Sequence, residues 1–184
     1  MTEKEKMLAG QLYDPADEEL IALRRKAHAL SKRYNDTLET QEEERAAILN
    51  ELLPERGENA YLQGPVQFDY GCFTQIGENT YANFNFTCVD CAPVKIGDNV
   101  FMGPNVSILT PVHPMRWQER NLFLRSDGVK TDREYAKPIT IEDNCWIAGK
   151  VTVCGGVTIG AGSVIGAGSV VTREIGRASC RERV

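Results

Sequence analysis

Ile141-Glu-Asp-Asn-Cys-Trp, Ile147-Ala-Gly-Lys-Val-Thr, Val153-Cys-Gly-Gly-Val-Thr, Ile159-Gly-Ala-Gly-Ser-Val, Ile165-Gly-Ala-Gly-Ser-Val and Val171-Thr follow one another without a break and repeat every six residues. The same register occurs upstream as Ile96-Gly-Asp-Asn-Val-Phe, Met102-Gly-Pro-Asn-Val-Ser and Ile108. An aliphatic residue opens each six, and a second small or branched residue stands four places on, at Val100, Val106, Cys145, Val151, Val157, Ser163 and Ser169. Six fits neither the 3.6-residue period of a helix nor the alternation of a flat sheet. It is the period of a parallel β-helix, in which three hexapeptides, roughly eighteen residues, make one triangular coil. The leading aliphatics then point inward and stack at the ~4.8 Å strand spacing, while small residues occupy corners that need tight turns or positive φ.

Outward from this stretch the rhythm changes. Residues 1–57 read as helical: Asp14-Pro15 suits a helix start with Asp14 as N-cap, and Leu20, Leu23, Ala27, Leu30 and Tyr34 follow at helical spacing. A second helix is expected from the capping-box spacing Thr40 to Glu43, with Ile48, Leu49, Leu52 and Leu53 on one face and a stop at Pro54. This hairpin would cap an open end of the solenoid. Residues 58–175 are assigned to the β-helix, interrupted over 111–137 by a polar loop carrying Arg116, Trp117, Glu119, Arg120, Arg125 and Glu134. A loop of that length is commonly functional. The basic stretch 176–184 has no repeat register and reads as a non-native tail.

Composition narrows the function classes. The chain has 184 residues, 42% of them hydrophobic, enough for one core plus an appendage. A net charge of −5 gives nucleic acid little electrostatic purchase. No apolar run approaches the ~20 residues of a membrane span, and the N-terminus lacks a secretory pattern, so a cytoplasmic protein is expected. Among six cysteines, Cys88 and Cys91 form a C-x-x-C with no partner set for zinc, and Cys145 and Cys154 read as small core fillers. His28 falls in a basic helix, as a surface or capping residue, whereas His113 lies where the repeat breaks into the long loop. An imidazole held there by a rigid scaffold suits a general base, although the residues alone leave a structural role equally open.

The segments Met7-Leu-Ala-Gly-Gln-Leu-Tyr-Asp14, Tyr81-Ala-Asn-Phe-Asn85, Ile96-Gly-Asp-Asn-Val100, Val112-His-Pro114, Lys137-Pro-Ile-Thr140 and Ile165 to Thr172 together resemble the maltose/galactoside O-acetyltransferase family of left-handed parallel β-helix acyltransferases. The resemblance spans about residues 5–175 and implies transfer of acetyl from acetyl-CoA to a sugar hydroxyl, without a metal, in a homotrimer whose sites lie between neighbouring chains. It implies His113 as general base and Asn83 at the meeting of acetyl group and acceptor. It places acceptor contacts at Asp14 (with Asp17 competing), Asp69, Asn83 and Asp90, and the coenzyme along Asn83, Gly149, Ala167, Thr172 and Arg173. Where the galactoside branch has two successive acids this chain has Asp90-Cys91, so galactoside preference is not implied. The loop after His113 is longer than in sugar-acetylating members, and residues 176–184 replace the family's Pro-rich turn and basic end. The competing readings are an acetyltransferase for another hydroxyl acceptor and a non-catalytic β-helix scaffold. A γ-type carbonic anhydrase, which needs three histidine ligands, is excluded by a chain with two.

Overall fold

The inward aliphatics of successive hexapeptides wind the chain into a parallel β-solenoid of three faces. The structure, a computed structural model, describes residues 1–176 and the backbone of Cys180–Arg181. The first face stacks Glu55–Arg56, Thr74–Ile76, Val94–Ile96, Ile139–Ile141 and Thr158–Ile159. The second stacks Tyr61–Leu62, Tyr81–Ala82, Phe101–Met102, Trp146–Ile147, Val164–Ile165 and Cys180–Arg181. The third stacks Val66–Phe68, Phe86–Val89, Ser107–Leu109, Thr152–Cys154 and Val170–Val171. Each strand pairs in parallel with the one a coil away. Ile76, Ile96, Ile141 and Ile159 therefore fall in one row, and Phe68, Cys88, Ile108, Val153 and Val171 in another, all buried. Of the stretch 176–184, read from sequence as a tail, Gly176 and the paired backbone of Cys180–Arg181 are described; the rest lies outside the described residues.

The corners explain the fourth position of the hexapeptide. Asn59, Asn79, Asn99 and Asn144 at the first corner, and Asn85, Asn105 and Lys150 at the second, adopt left-handed φ between 53° and 60°. Asn tolerates that region better than other side chains because its amide bonds locally. In the last coil Gly162 and Gly168 take over at these two corners. The coil length is not uniform. The stacked row steps by 20 residues from Leu62 to Ala82 to Met102, and by 18 from Ile147 to Ile165. The two extra residues lie at the third corner, between the third and first faces, where Asp69, Tyr70, Asp90 and Cys91 are found. The loop 111–137 leaves the same corner one coil further on.

Among the described residues four helices accompany the solenoid: α1 (Glu3–Leu8), α2 (Glu18–Asn35), α3 (Glu42–Leu52) and the loop's α4 (Trp117–Arg120). α2 and α3 close the first coil. The Tyr34 hydroxyl and the Arg45 guanidinium donate to the Leu62 carbonyl, and the Asn35 amide exchanges two hydrogen bonds with Val66, replacing the ladder partner that the first strand lacks. Both expected caps are corrected. α2 starts at Glu18 with Asp17 as N-cap, its carboxylate accepting from Glu19 and Leu20 N–H at 3.1 and 3.3 Å, because Asp14 is drawn into tertiary contacts. The Thr40–Glu43 box does not form. Gln41 occupies the N-cap of α3, and its side chain bonds Leu38 N–H and Glu44 instead. A capping box does close α1, between Thr2 and Glu5. Among the described residues no helix is long and apolar enough to cross a membrane.

The second-position glycines admit this stacking. A Cβ on Gly103 would stand 2.5 Å from the Gly149 nitrogen of the next coil, which is backbone and cannot turn aside. Gly103→Ala should therefore lower unfolding free energy by about 1–3 kcal/mol. In urea titration the midpoint should fall with the slope unchanged.

Candidate active site

The third corner collects most of the sequence-derived candidates. His113 follows Pro111–Val112, a strand that pairs antiparallel with Tyr135–Ala136 as the loop returns. The loop is thus a structured excursion rather than an open coil, with a second antiparallel pair, Phe123–Leu124 on Lys130–Thr131, near its tip. Its returning arm sets two carboxylates around the half-exposed imidazole. Glu134 Oε2 lies 3.6 Å from Nε2, and Asp132 Oδ2 lies 3.7 Å from Nδ1. These separations exceed a formed hydrogen bond and match the looseness common before a substrate closes a site. Glu134 is held from behind: the Tyr13 hydroxyl donates to its other oxygen, and the two residues form an antiparallel bridge through both backbone N–H groups. Burial raises the Glu134 carboxyl above its ordinary range, against the opposing pull of the Tyr13 hydrogen bond and the His113 charge.

The remaining acids of this corner divide by burial. Asp69 is partly exposed; its Oδ1 is 3.3 Å from Nε2 of His28, and the Cys91 thiol points to its Oδ2 at 3.7 Å. α2 brings His28 to this corner, where it stays exposed, in keeping with the surface role read from its basic neighbours. Asp90 is 0% exposed, and its carboxylate accepts the Tyr70 N–H at 2.8 Å and the Thr74 hydroxyl at 2.9 Å. Enclosed this way it braces the widened corner and has no surface to offer an acceptor. Asp14 accepts the Thr131 hydroxyl at 2.6 Å, the Ala16 N–H at 2.8 Å and the Arg125 guanidinium at 2.8 Å. Burial works against its charge, but these bonds and the Arg125 charge prevail and its pKa lies below the ordinary value.

The coenzyme candidates fall on two corners. Asn83, Gly149 and Ala167 lie along the second corner, with Gly103-Pro104 of one coil between Asn83 and Gly149; there Gly168 N–H bonds the Gly149 carbonyl and Lys150 N–H that of Pro104. A Cβ on Gly149 would press on Pro104 at 3.2 Å, so a glycine keeps this strip flat, as a thin pantetheine arm requires. Thr172 and Arg173 stand at the third corner of the last coil, beside a cavity of about 310 Å³ lined also by Ile165, Ser169, Val171 and Ile175. Within one chain the structure does not bring Asn83 to His113: the whole third face lies between their corners, on the order of 20 Å of extended strand. The Asn83 amide oxygen takes the Phe84 N–H at 2.8 Å.

Tyr13, Arg125, Thr131, Asp132 and Glu134 had no site role in the sequence reading. Their signal is topological, since Glu134 lies 21 positions beyond His113 and meets it only because the loop doubles back.

The comparisons agree with this architecture. Residues 6–57 match the maltose acetyltransferase hexapeptide capping motif, 138–173 the bacterial transferase hexapeptide and 93–113 the hexapeptide repeat of succinyl-transferase. The galactoside O-acetyltransferase of Escherichia coli K12 is 40% identical over 149 residues, which is 81% of this chain and 69% of that one. The crystal structure of a maltose O-acetyltransferase from Clostridium difficile 630 aligns with TM-score 0.89 and 41% identity, covering 98% of this chain and 91% of that one. A galactoside acetyltransferase in complex with coenzyme A aligns with TM-score 0.88 and 39% identity, covering 98% and 86%.

Asp90 gives this corner a pH signature. Burial pushes its carboxyl up to about 6 from 3.8, against the hydrogen bonds from Tyr70 and Thr74. Between those two values the folded chain binds more protons than the unfolded one, so this group's contribution to stability is full below the lower value, declines as pH rises and levels off above the upper. Asp90→Asn removes the decline. Urea titrations should show the variant gaining about 2–3 kcal/mol on the parent between pH 4 and pH 7.

Proposed function

The chain belongs to the maltose/galactoside O-acetyltransferase family of hexapeptide-repeat acetyltransferases, and from that premise we propose that it transfers acetyl from acetyl-CoA to a hydroxyl of a small sugar with His113 as general base. The observation that carries the reading is the placement of His113 at the loop mouth, with Glu134 and Asp132 facing its two ring nitrogens. The imidazole takes the proton of the acceptor hydroxyl as that oxygen attacks the thioester carbonyl. The flanking carboxylates stabilise the imidazolium so formed and fix the plane of the ring. Backbone N–H groups of the coil and the Asn83 amide bind the oxyanion of the tetrahedral intermediate. As the C–S bond breaks, the leaving CoA thiolate takes the proton back from His113. The donor lies along the small-residue strip at Gly149 and Ala167, and Arg173 offers a guanidinium to a CoA phosphate. The reading places the enzyme in the cytosol, where acetyl-CoA is available.

It also requires a second chain, because Asn83 and His113 sit on different corners. We take the assembly to be a homotrimer in which the second corner of one chain meets the third corner of its neighbour. In support, Tyr61, Tyr81, Phe101 and Trp146 form one row down the second face, with Tyr61, Phe101 and Trp146 exposed by 42%, 55% and 56% in a single chain.

Thiol release from acetyl-CoA should depend on a sugar such as maltose, a glucoside or a galactoside, and His113→Ala should lower it at least about a hundredfold. Transfer at the parent rate by the variant would sink the assignment of the base. A panel on which no sugar is acetylated would favour the reading with another hydroxyl acceptor.

Mixing should test the shared site. His113→Ala and Asn83→Ala chains, each inactive alone, should regain about one quarter of parent activity when denatured and refolded together, since one site in four then pairs intact residues from two chains. No recovery would mean that the two residues do not meet across chains.

A further inference from the structure

Asp14 is placed by resemblance among the acceptor contacts, yet its surroundings describe a different task. Its side chain is 11% exposed, and both oxygens are engaged by this chain: Oδ1 by the Thr131 hydroxyl and the Ala16 N–H, Oδ2 by Arg125. Arg125 is itself held by Asp127 through bonds of 2.6–2.9 Å, across the turn of the loop's hairpin. Among the described residues, the side-chain hydrogen bonds that tie the hairpin to the body of the chain end on Asp14. The preceding residue, Tyr13, grips the same arm three positions later, at Glu134, through its hydroxyl and its backbone. Asp132 lies between the two grips. The rest of the loop has little to keep it in place: α4 buries no residue, and Met115, Leu122 and Leu124 are exposed.

We propose that Tyr13-Asp14 is a clamp that positions Asp132 and Glu134 around His113, and that Asp14 acts on the reaction through Thr131 and Arg125 rather than by touching the acceptor. The N-terminal segment is thereby part of the catalytic apparatus of its own chain as well as a cap on the solenoid. A carboxylate with three donors already in place and little open surface is poorly suited to take sugar hydroxyls. The arm it pins carries both groups that face the imidazole, and small displacements of such groups are costly to the chemical step.

The inference rests on His113 being the base, and its test separates the two. Steady-state kinetics and chymotrypsin digestion, which reads the loop at Trp117, Phe123 and Leu124, are run on Asp14→Asn, on the pair Arg125→Met with Thr131→Val, and on all three substitutions together. Thermal midpoints are followed throughout. A positioning clamp predicts a fall in kcat of about tenfold in Asp14→Asn and in the pair alike, with KM for acceptor and acetyl-CoA nearly unchanged. The combined variant should lose little more, because all act through one contact. Loop cleavage should speed up in each. The proposal is overturned if Asp14→Asn raises acceptor KM while the Arg125/Thr131 pair leaves kinetics and digestion as in the parent. If the parent transfers acetyl to no acceptor, the functional reading fails, and the digestion rates alone then decide for or against the clamp.

Discussion

Everything in this molecule depends on one repeated contact, the stacking of an inward aliphatic side chain on its counterpart one coil away while the backbones pair at about 4.8 Å. That spacing is unforgiving. It excludes a Cβ at the second-position glycines, demands left-handed φ at the fourth position and leaves no freedom along the axis. The only place where the chain gains length without breaking the stack is a corner. The early coils lengthen at the third corner by two residues, and the next coil opens there into the loop. The candidate site residues gather where the constraint is relaxed.

Relaxation brings its own requirement. A widened corner leaves backbone N–H groups without the ladder partners that a strand would supply, and an unmade buried bond costs more than a made one yields. Asp90 answers this by accepting the Tyr70 N–H, together with the Thr74 hydroxyl, in full enclosure. Its raised pKa follows from the same placement: a carboxylate buried to brace backbone is kept from water, and desolvation disfavours its charge. Asp69, one coil earlier at the same corner, remains partly exposed beside His28. Burial alone separates a bracing acid from one that can meet solvent or substrate.

The fold was legible because its signal is local. A hexapeptide states its own period, although the corners assigned from sequence to small residues are mostly taken, before the last coil, by Asn or Lys at the fourth position. Helices over residues 18–52 were legible for the same reason, through Leu20, Ala27, Leu30 and Tyr34. The cap at Asp14 was misread because Asp14-Pro15 satisfies the local rule for a helix start, while Thr131 and Arg125, more than 100 positions away, compete for the same carboxylate. No local pattern records that competition. Glu134 was invisible as a partner for His113 on similar grounds, since the loop's return path decides the meeting. Asn83, Gly149 and Ala167 were named by resemblance, and what the sequence could not say is that they share a corner from which His113 is absent.

That separation has a consequence for how the proposed enzyme would be regulated by its own assembly. Within one chain, the proposed base and its flanking carboxylates stand together, on an arm bonded to Tyr13 and Asp14. The group proposed to meet the oxyanion is on the wrong side of the solenoid for that base, and the aromatic row on the second face has no covering in a lone chain. A monomer would thus hold a poised imidazole without the Asn83 amide that the reading assigns to the oxyanion. Burying the aromatic row against a neighbour and delivering Asn83 to the neighbour's His113 would be a single event, driven by apolar area and completed by one amide. Catalysis would then require assembly, because the rigid stack that positions each group so well cannot fold back on itself to bring the two together.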